Sequence, residues 1–121
     1  MAKILIVDDD QGFIDSTTQI LKEAGFEVSG AVTTDDGLKK AESEKPDLIL
    51  LDVTLKSPED GILLGKQLFK NGVKIPLILL ENVAKAAAFS NGTDDMAIEA
   101  YAEKPLNKDK IINKIQAIIS R

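Results

Sequence analysis

The chain contains neither cysteine nor histidine. The first absence removes disulfides and thiol chemistry. The second removes the commonest acid–base catalyst and the commonest zinc ligand. No serine triad can be built without an imidazole. Aromatic residues make up only 4% of the chain, so Ile, Leu, Val and Ala must fill the core. No apolar run approaches the length of a membrane span. The start, Met1-Ala2-Lys3 followed by Ile4-Leu5-Ile6-Val7, is too short for a signal peptide. A cytoplasmic location without membrane attachment is therefore expected. Acidic residues outnumber basic ones, 20 to 15, for a net charge of −5. That balance argues against nucleic acid or an anionic membrane as a direct partner.

What remains suits a globular protein. The 121 residues fit a single domain over 1–121. The chain is 44% hydrophobic and 29% charged, enough for a real core under a solvated surface. Its organising stretch is Asp47-Leu48-Ile49-Leu50-Leu51-Asp52. Large apolar residues without alternation read as a strand covered on both faces, as in a parallel sheet. Asp52 would emerge at the carboxyl end, the edge where open α/β sheets bind ligands.

The other elements follow in alternation. Lys3 to Val7 reads as a buried strand ending in Asp8-Asp9-Asp10. Phe13, Thr17, Ile20, Leu21 and Ala24 then share one helix face, with Gly25 as its stop. Glu27 to Ala31 suits an edge strand. A second helix, capped by Thr33 or Thr34, reaches about Glu44 with Leu38 and Ala41 inward, and Pro46 blocks its continuation. After Asp52, Val53 to Gly61 reads as a long polar loop. A helix follows from about Gly61 to Asn71, with Gly65 inside it marking close packing. Pro76 to Leu80 forms a fourth strand ending at Glu81-Asn82. Val83 to Ile98 starts helix-like, but Ser90-Asn91-Gly92-Thr93-Asp94-Asp95 interrupts it, so a short or irregular fourth helix is expected. Ala100 to Glu103 forms the fifth strand. A last helix buries the stripe Ile111, Ile112, Ile115, Ile118 and Ile119, with Asn107 as cap.

Strict strand–helix alternation predicts a doubly wound, flavodoxin-like α/β fold. A five-stranded parallel sheet in the order 2-1-3-4-5 is the economical arrangement. It sets the ends of strands one and three side by side, so Asp8, Asp9 and Asp52 converge. Close carboxylates repel by about 4 kcal/mol per pair at an effective dielectric near 20. Such a cluster calls for a counter-charge, and a hard divalent ion such as Mg2+ suits all-oxygen ligands. Lys104, at the end of the fifth strand, adds a fixed ammonium on the same edge. Acids, metal and lysine together describe phosphoryl transfer to a carboxylate nucleophile. Each residue alone has a plainer role. One of Asp8, Asp9 and Asp10 should cap the first helix, a lone Asp52 would serve a turn, and a lone Lys104 would be a surface lysine.

The joint pattern resembles the receiver domain of two-component response regulators, the CheY-like superfamily, over essentially the whole chain. The matching residues are Ile4 to Asp10, Pro46 to Asp52, Asp60-Gly61, Pro76 and Lys104-Pro105. The resemblance implies that Asp52 accepts a phosphoryl group from a histidine kinase or phosphotransfer protein. It implies direct Mg2+ contact from Asp9, Asp52 and the carbonyl of Thr54, with Asp8 acting mostly through water. Lys104 would pair with the phosphoryl group, and its bond to Pro105 would be cis. Tyr101 stands where the family keeps a switching aromatic; a partly exposed edge-strand tyrosine is the plainer reading.

Two departures stand out. Aligned from Pro76, Glu81 occupies the position of the family's Thr or Ser. An ionised glutamate cannot donate to a phosphoryl oxygen and would repel it; the neighbouring Asn82 carries an amide donor. The loop after Asp52 is also one residue longer than usual, and the degraded fourth helix alters the expected signalling surface. Three functions are compatible with these residues to different degrees. The first is a phosphoacceptor receiver, with no enzymatic activity beyond self-phosphorylation and self-dephosphorylation and an unnamed downstream protein partner. The second is a pseudo-receiver that binds proteins independently of phosphorylation. The third is a haloacid-dehalogenase-like phosphatase. It is disfavoured because Thr54 stands where that class needs a second acid and because no cap domain is visible.

Overall fold

Five apolar runs become five parallel strands: β1 (Lys3–Val7), β2 (Glu27–Ala31), β3 (Leu48–Asp52), β4 (Leu77–Glu81) and β5 (Ile98–Glu103). The structure is a computed structural model that describes residues 2–52, 58–81 and 98–120. The strands lie in the order β2-β1-β3-β4-β5, and every neighbouring pair is parallel. This is the doubly wound arrangement that the alternation predicts.

The pleat explains why the central strand shows no alternation in its sequence. All five residues of β3 are buried. Ile49 and Leu51 enter one apolar layer with Ala41, Leu64 and Leu68. Leu48 and Leu50 enter the other with Ile14, Leu21, Ile111 and Ile115. Successive side chains point to opposite faces, and helices cover both. The first layer lies under α2 (Thr34–Glu44) and α3 (Pro58–Lys70), the second under α1 (Gln11–Glu23) and the C-terminal helix (Lys108–Ile119). Each large side chain buried in this way contributes about 1.5–3 kcal/mol.

Helix ends follow local chemistry. Asp10, Thr33 and Asn107 accept the backbone N–H groups of Phe13, Asp36 and Lys110 at 3.2, 3.1 and 3.0 Å. Each satisfies a donor that the helix cannot. Asp10 is thus the cap among the three consecutive aspartates. Past the end of α1, Gly25 adopts a φ of +96°, a conformation cheap only for glycine. Pro46 follows Lys45, the left-handed cap of α2.

Three boundaries differ from the sequence reading. α3 begins at Pro58 rather than Gly61, because proline suits a first helical turn, where its missing N–H is not needed. The helix runs on through Gly65, which is buried. β4 begins at Leu77 rather than Pro76, although the Pro76 carbonyl accepts from the Ile49 N–H at 3.0 Å. β5 begins at Ile98 rather than Ala100, with a register irregularity opposite Leu77 and Ile78. The irregular fourth helix expected within 83–98 and the lengthened loop at 53–57 lie outside the described residues, except for Ile98 in β5.

Two contacts level the strand ends that matter. At the amino end, the Lys3 N–H donates to Asp47 Oδ2 and the Asp47 N–H donates to the Lys3 carbonyl, both at 2.8 Å. The register then pairs Val7 with Leu51. The next residues, Asp8 and Asp52, therefore stand side by side at the sheet's carboxyl edge. Among the described residues, no helix is long and apolar enough to cross a membrane.

Candidate functional site

Asp8 follows β1, Asp52 closes β3 and Lys104 follows β5, so three strands deliver their ends to one sheet edge. Asp8 is fully buried and Asp52 is 4% exposed, while Asp9 faces solvent. One carboxylate oxygen from each of these acids lies within 4.8 Å of the others. The Lys104 ammonium closes the cluster, donating to Asp8 Oδ2 at 2.5 Å and to Asp52 Oδ2 at 2.9 Å. The Lys104–Pro105 peptide bond is cis.

Asp8 is held at both oxygens. Its Oδ1 accepts the Asp10 N–H at 2.9 Å while Oδ2 meets the ammonium. Its own N–H donates to the Ala31 carbonyl at 3.0 Å, which extends the pairing with β2 by one residue. Burial pushes the Asp8 carboxyl above its ordinary value, with Asp52 adding to the rise, and the bonds from Lys104 and Asp10 only partly offset it. Burial pulls Lys104 downward, but its bonds to Asp8 and Asp52 together outweigh that and leave it raised. The ammonium thus stays charged throughout the neutral range.

The donor set fits a hard cation. All three groups offer carboxylate oxygen and none offers nitrogen or sulfur. A hard divalent cation such as Mg2+ takes oxygen ligands of this kind, and one oxygen from each acid already lies within 4.8 Å of the others.

The remaining residues singled out by sequence are placed as follows. Glu81 ends β4, one register step beyond the Asp52–Leu80 pair. Tyr101 lies on β5, 43% exposed, next to the buried Ala102. Thr54 and Asn82 lie outside the described residues. One residue of the pocket was missed. The Phe13 ring lies beneath the Lys104 ammonium, with 4.3 Å from Nζ to the ring centroid. Its spacing marked it only as part of the inward face of α1.

A five-stranded parallel sheet with acids and an ammonium gathered at its carboxyl edge describes a doubly wound α/β domain with a charged pocket at the switch point. The chain belongs to the response regulator receiver domain family, whose model matches residues 4–116. It is 36% identical to the alkaline phosphatase synthesis transcriptional regulatory protein PhoP of Bacillus subtilis, over 98% of this chain and 49% of that protein. It is 33% identical to the transcriptional regulatory protein CiaR of Streptococcus pneumoniae, over 100% of this chain and 53% of that one. The chain thus spans about half the length of these curated relatives. Among solved structures, a CheY-like receiver domain protein from Methanospirillum hungatei superposes with a TM-score of 0.87 at 32% identity, covering 99% of this chain and 94% of that one.

Proposed function

We propose that this chain is a phosphoacceptor receiver domain, extending over 1–121, that takes a phosphoryl group from a histidine kinase or phosphotransfer protein onto Asp52. The observation that carries this reading is the Lys104 ammonium bonded to both Asp8 and Asp52, with Asp9 alongside. An Asp52 carboxylate oxygen attacks the donor's phosphorus. The phosphorus–nitrogen bond of the phosphohistidine breaks, and its electron pair leaves with the imidazole nitrogen. Lys104 balances negative charge on the phosphoryl oxygens. Asp9, Asp52 and the Thr54 carbonyl would hold Mg2+, which supplies further charge neutralisation when bound. Both Asp8 oxygens already accept hydrogen bonds, which favours a water-mediated role for that residue.

The whole protein's output is a separate proposal. Both relatives named above are transcriptional regulators about twice as long. A full-length protein of that kind would bind nucleic acid through residues other than these 121. The net charge of −5 speaks only for the receiver, for which protein partners and a cytoplasmic location are proposed.

The test is an intact-mass measurement after adding Mg2+ and a small phosphodonor such as acetyl phosphate. One acid-labile phosphoryl adduct is expected, absent in Asp52→Asn. Mg2+ binding without any adduct would instead favour the pseudo-receiver, and sustained turnover of a phosphate ester would favour the phosphatase. Glu81 bears on switching rather than on transfer. Glu81→Thr, which restores a hydroxyl donor at the end of β4, should enlarge the NMR shift changes produced by a beryllofluoride mimic. Unchanged shifts would remove Glu81 from the account.

A further inference from the structure

We propose that Phe13 is a positioning residue that clamps the Lys104 ammonium over the two buried carboxylates. A lysine head on a flexible four-carbon stem is hard to hold with two oxygens alone. Here a third contact comes from below. The ammonium lies 4.3 Å from the Phe13 ring centroid, well inside the range in which an aromatic face attracts a cation. The Lys104 side chain is 27% exposed, so that attraction is only partly screened by water.

The clamp is built into the chain as a closed circuit. The Asp10 N–H donates to Asp8 Oδ1. Asp10 Oδ1 in turn caps the Phe13 N–H. The Phe13 ring supports Lys104, and Lys104 returns to Asp8 Oδ2. A local turn, Asp8 to Phe13, thus grips a residue that follows the far edge strand. The ring also packs against the apolar layer beneath α1, so packing alone is the competing explanation. Leucine preserves most of that packing and lacks the aromatic face; tyrosine keeps both.

The consequence for transfer rests on the phosphoacceptor reading, but the clamp itself can be read without it. In the intact chain, the ε-methylene protons of Lys104 should be shifted upfield by the ring current. The shift should persist in Phe13→Tyr and vanish in Phe13→Leu. With acetyl phosphate and Mg2+, adduct formation should slow about three- to tenfold in Phe13→Leu and stay within about twofold of wild type in Phe13→Tyr. A Mg2+ titration of each variant should still show binding, which reports an intact pocket. Should Phe13→Leu fail to fold, Phe13→Met carries the same comparison. An unshifted Lys104 in the wild type, or a leucine variant that reacts at the wild-type rate, overturns the proposal. A wild type that forms no adduct but shows the shift defeats the phosphoacceptor reading and supports the clamp.

Discussion

Lys104→Ala is expected to slow adduct formation on Asp52 by about 10²–10³-fold, the usual loss when a preorganised charge partner of the reacting group is removed. The ammonium is already in place before the donor arrives, bonded to Asp8 and Asp52. Transfer brings more negative charge to a pocket that holds three carboxylates, and in the variant no lysine meets it. Lys104→Arg should restore only part of the rate, because a planar fork does not reproduce a compact ammonium. The pH dependence has a definite sign. Lys104 is raised above its ordinary 10.5, so its stabilising contacts are complete below that value and are lost only as pH climbs through the raised one. No loss of rate from Lys104 deprotonation is expected between neutrality and pH 9. Time courses of adduct mass for the three proteins across that range check both points. An alanine variant within threefold of wild type would remove Lys104 from the chemistry.

Asp9→Asn is expected to move stability in opposite directions with and without Mg2+. Without metal, Asp9 adds a third carboxylate beside Asp8 and Asp52, within 4.8 Å of each, while the ammonium bonds the other two. Removing its charge should stabilise the fold by on the order of 1 kcal/mol, allowing for solvent screening at an exposed residue. With Mg2+ the order reverses. A ligand at one hundred times its dissociation constant adds about 2.7 kcal/mol to the native state, and the variant should forfeit much of that if Asp9 is the direct ligand proposed above. Asp8 sets the accompanying pH trend. Its carboxyl is raised from 3.8, so between 3.8 and the raised value the native state holds the extra proton, and metal-free stability falls as pH rises through that window. Urea unfolding at several pH values, with and without Mg2+, reads all of this. Wild type and variant keeping the same order in both conditions would contradict the proposed ligand set.

The strands were legible because burial on both faces leaves an uninterrupted apolar run, as in Leu48–Leu51. The pocket acids and Lys104 were legible for a related reason. Each lies at or just past the carboxyl end of a strand, and a parallel sheet gathers strand ends whatever the length of the connections. Phe13 was not legible, because an apolar residue at helical spacing looks the same whether it packs on neighbours or supports a cation. Its role depends on Lys104, which arrives from β5 and has no local trace in α1. The same holds for the Lys3–Glu44 ion pair at 2.9 Å, which Ser29 supports by donating to the same Glu44 oxygen at 2.9 Å. Only the alignment of β1, β2 and α2 brings those three together. Pro58 opens α3 yet reads as loop in the sequence, because proline signals a turn and a helix start equally well.

The sheet gives its two kinds of charge unequal footing. β1 and β3 each have a strand on either side, whereas β5 borders β4 alone. The acids are therefore bolted to the stiff middle of the molecule, and the lysine rides on its rim. Fraying of that rim would draw the cation away like the loose jaw of a vice while leaving the fixed jaw undisturbed.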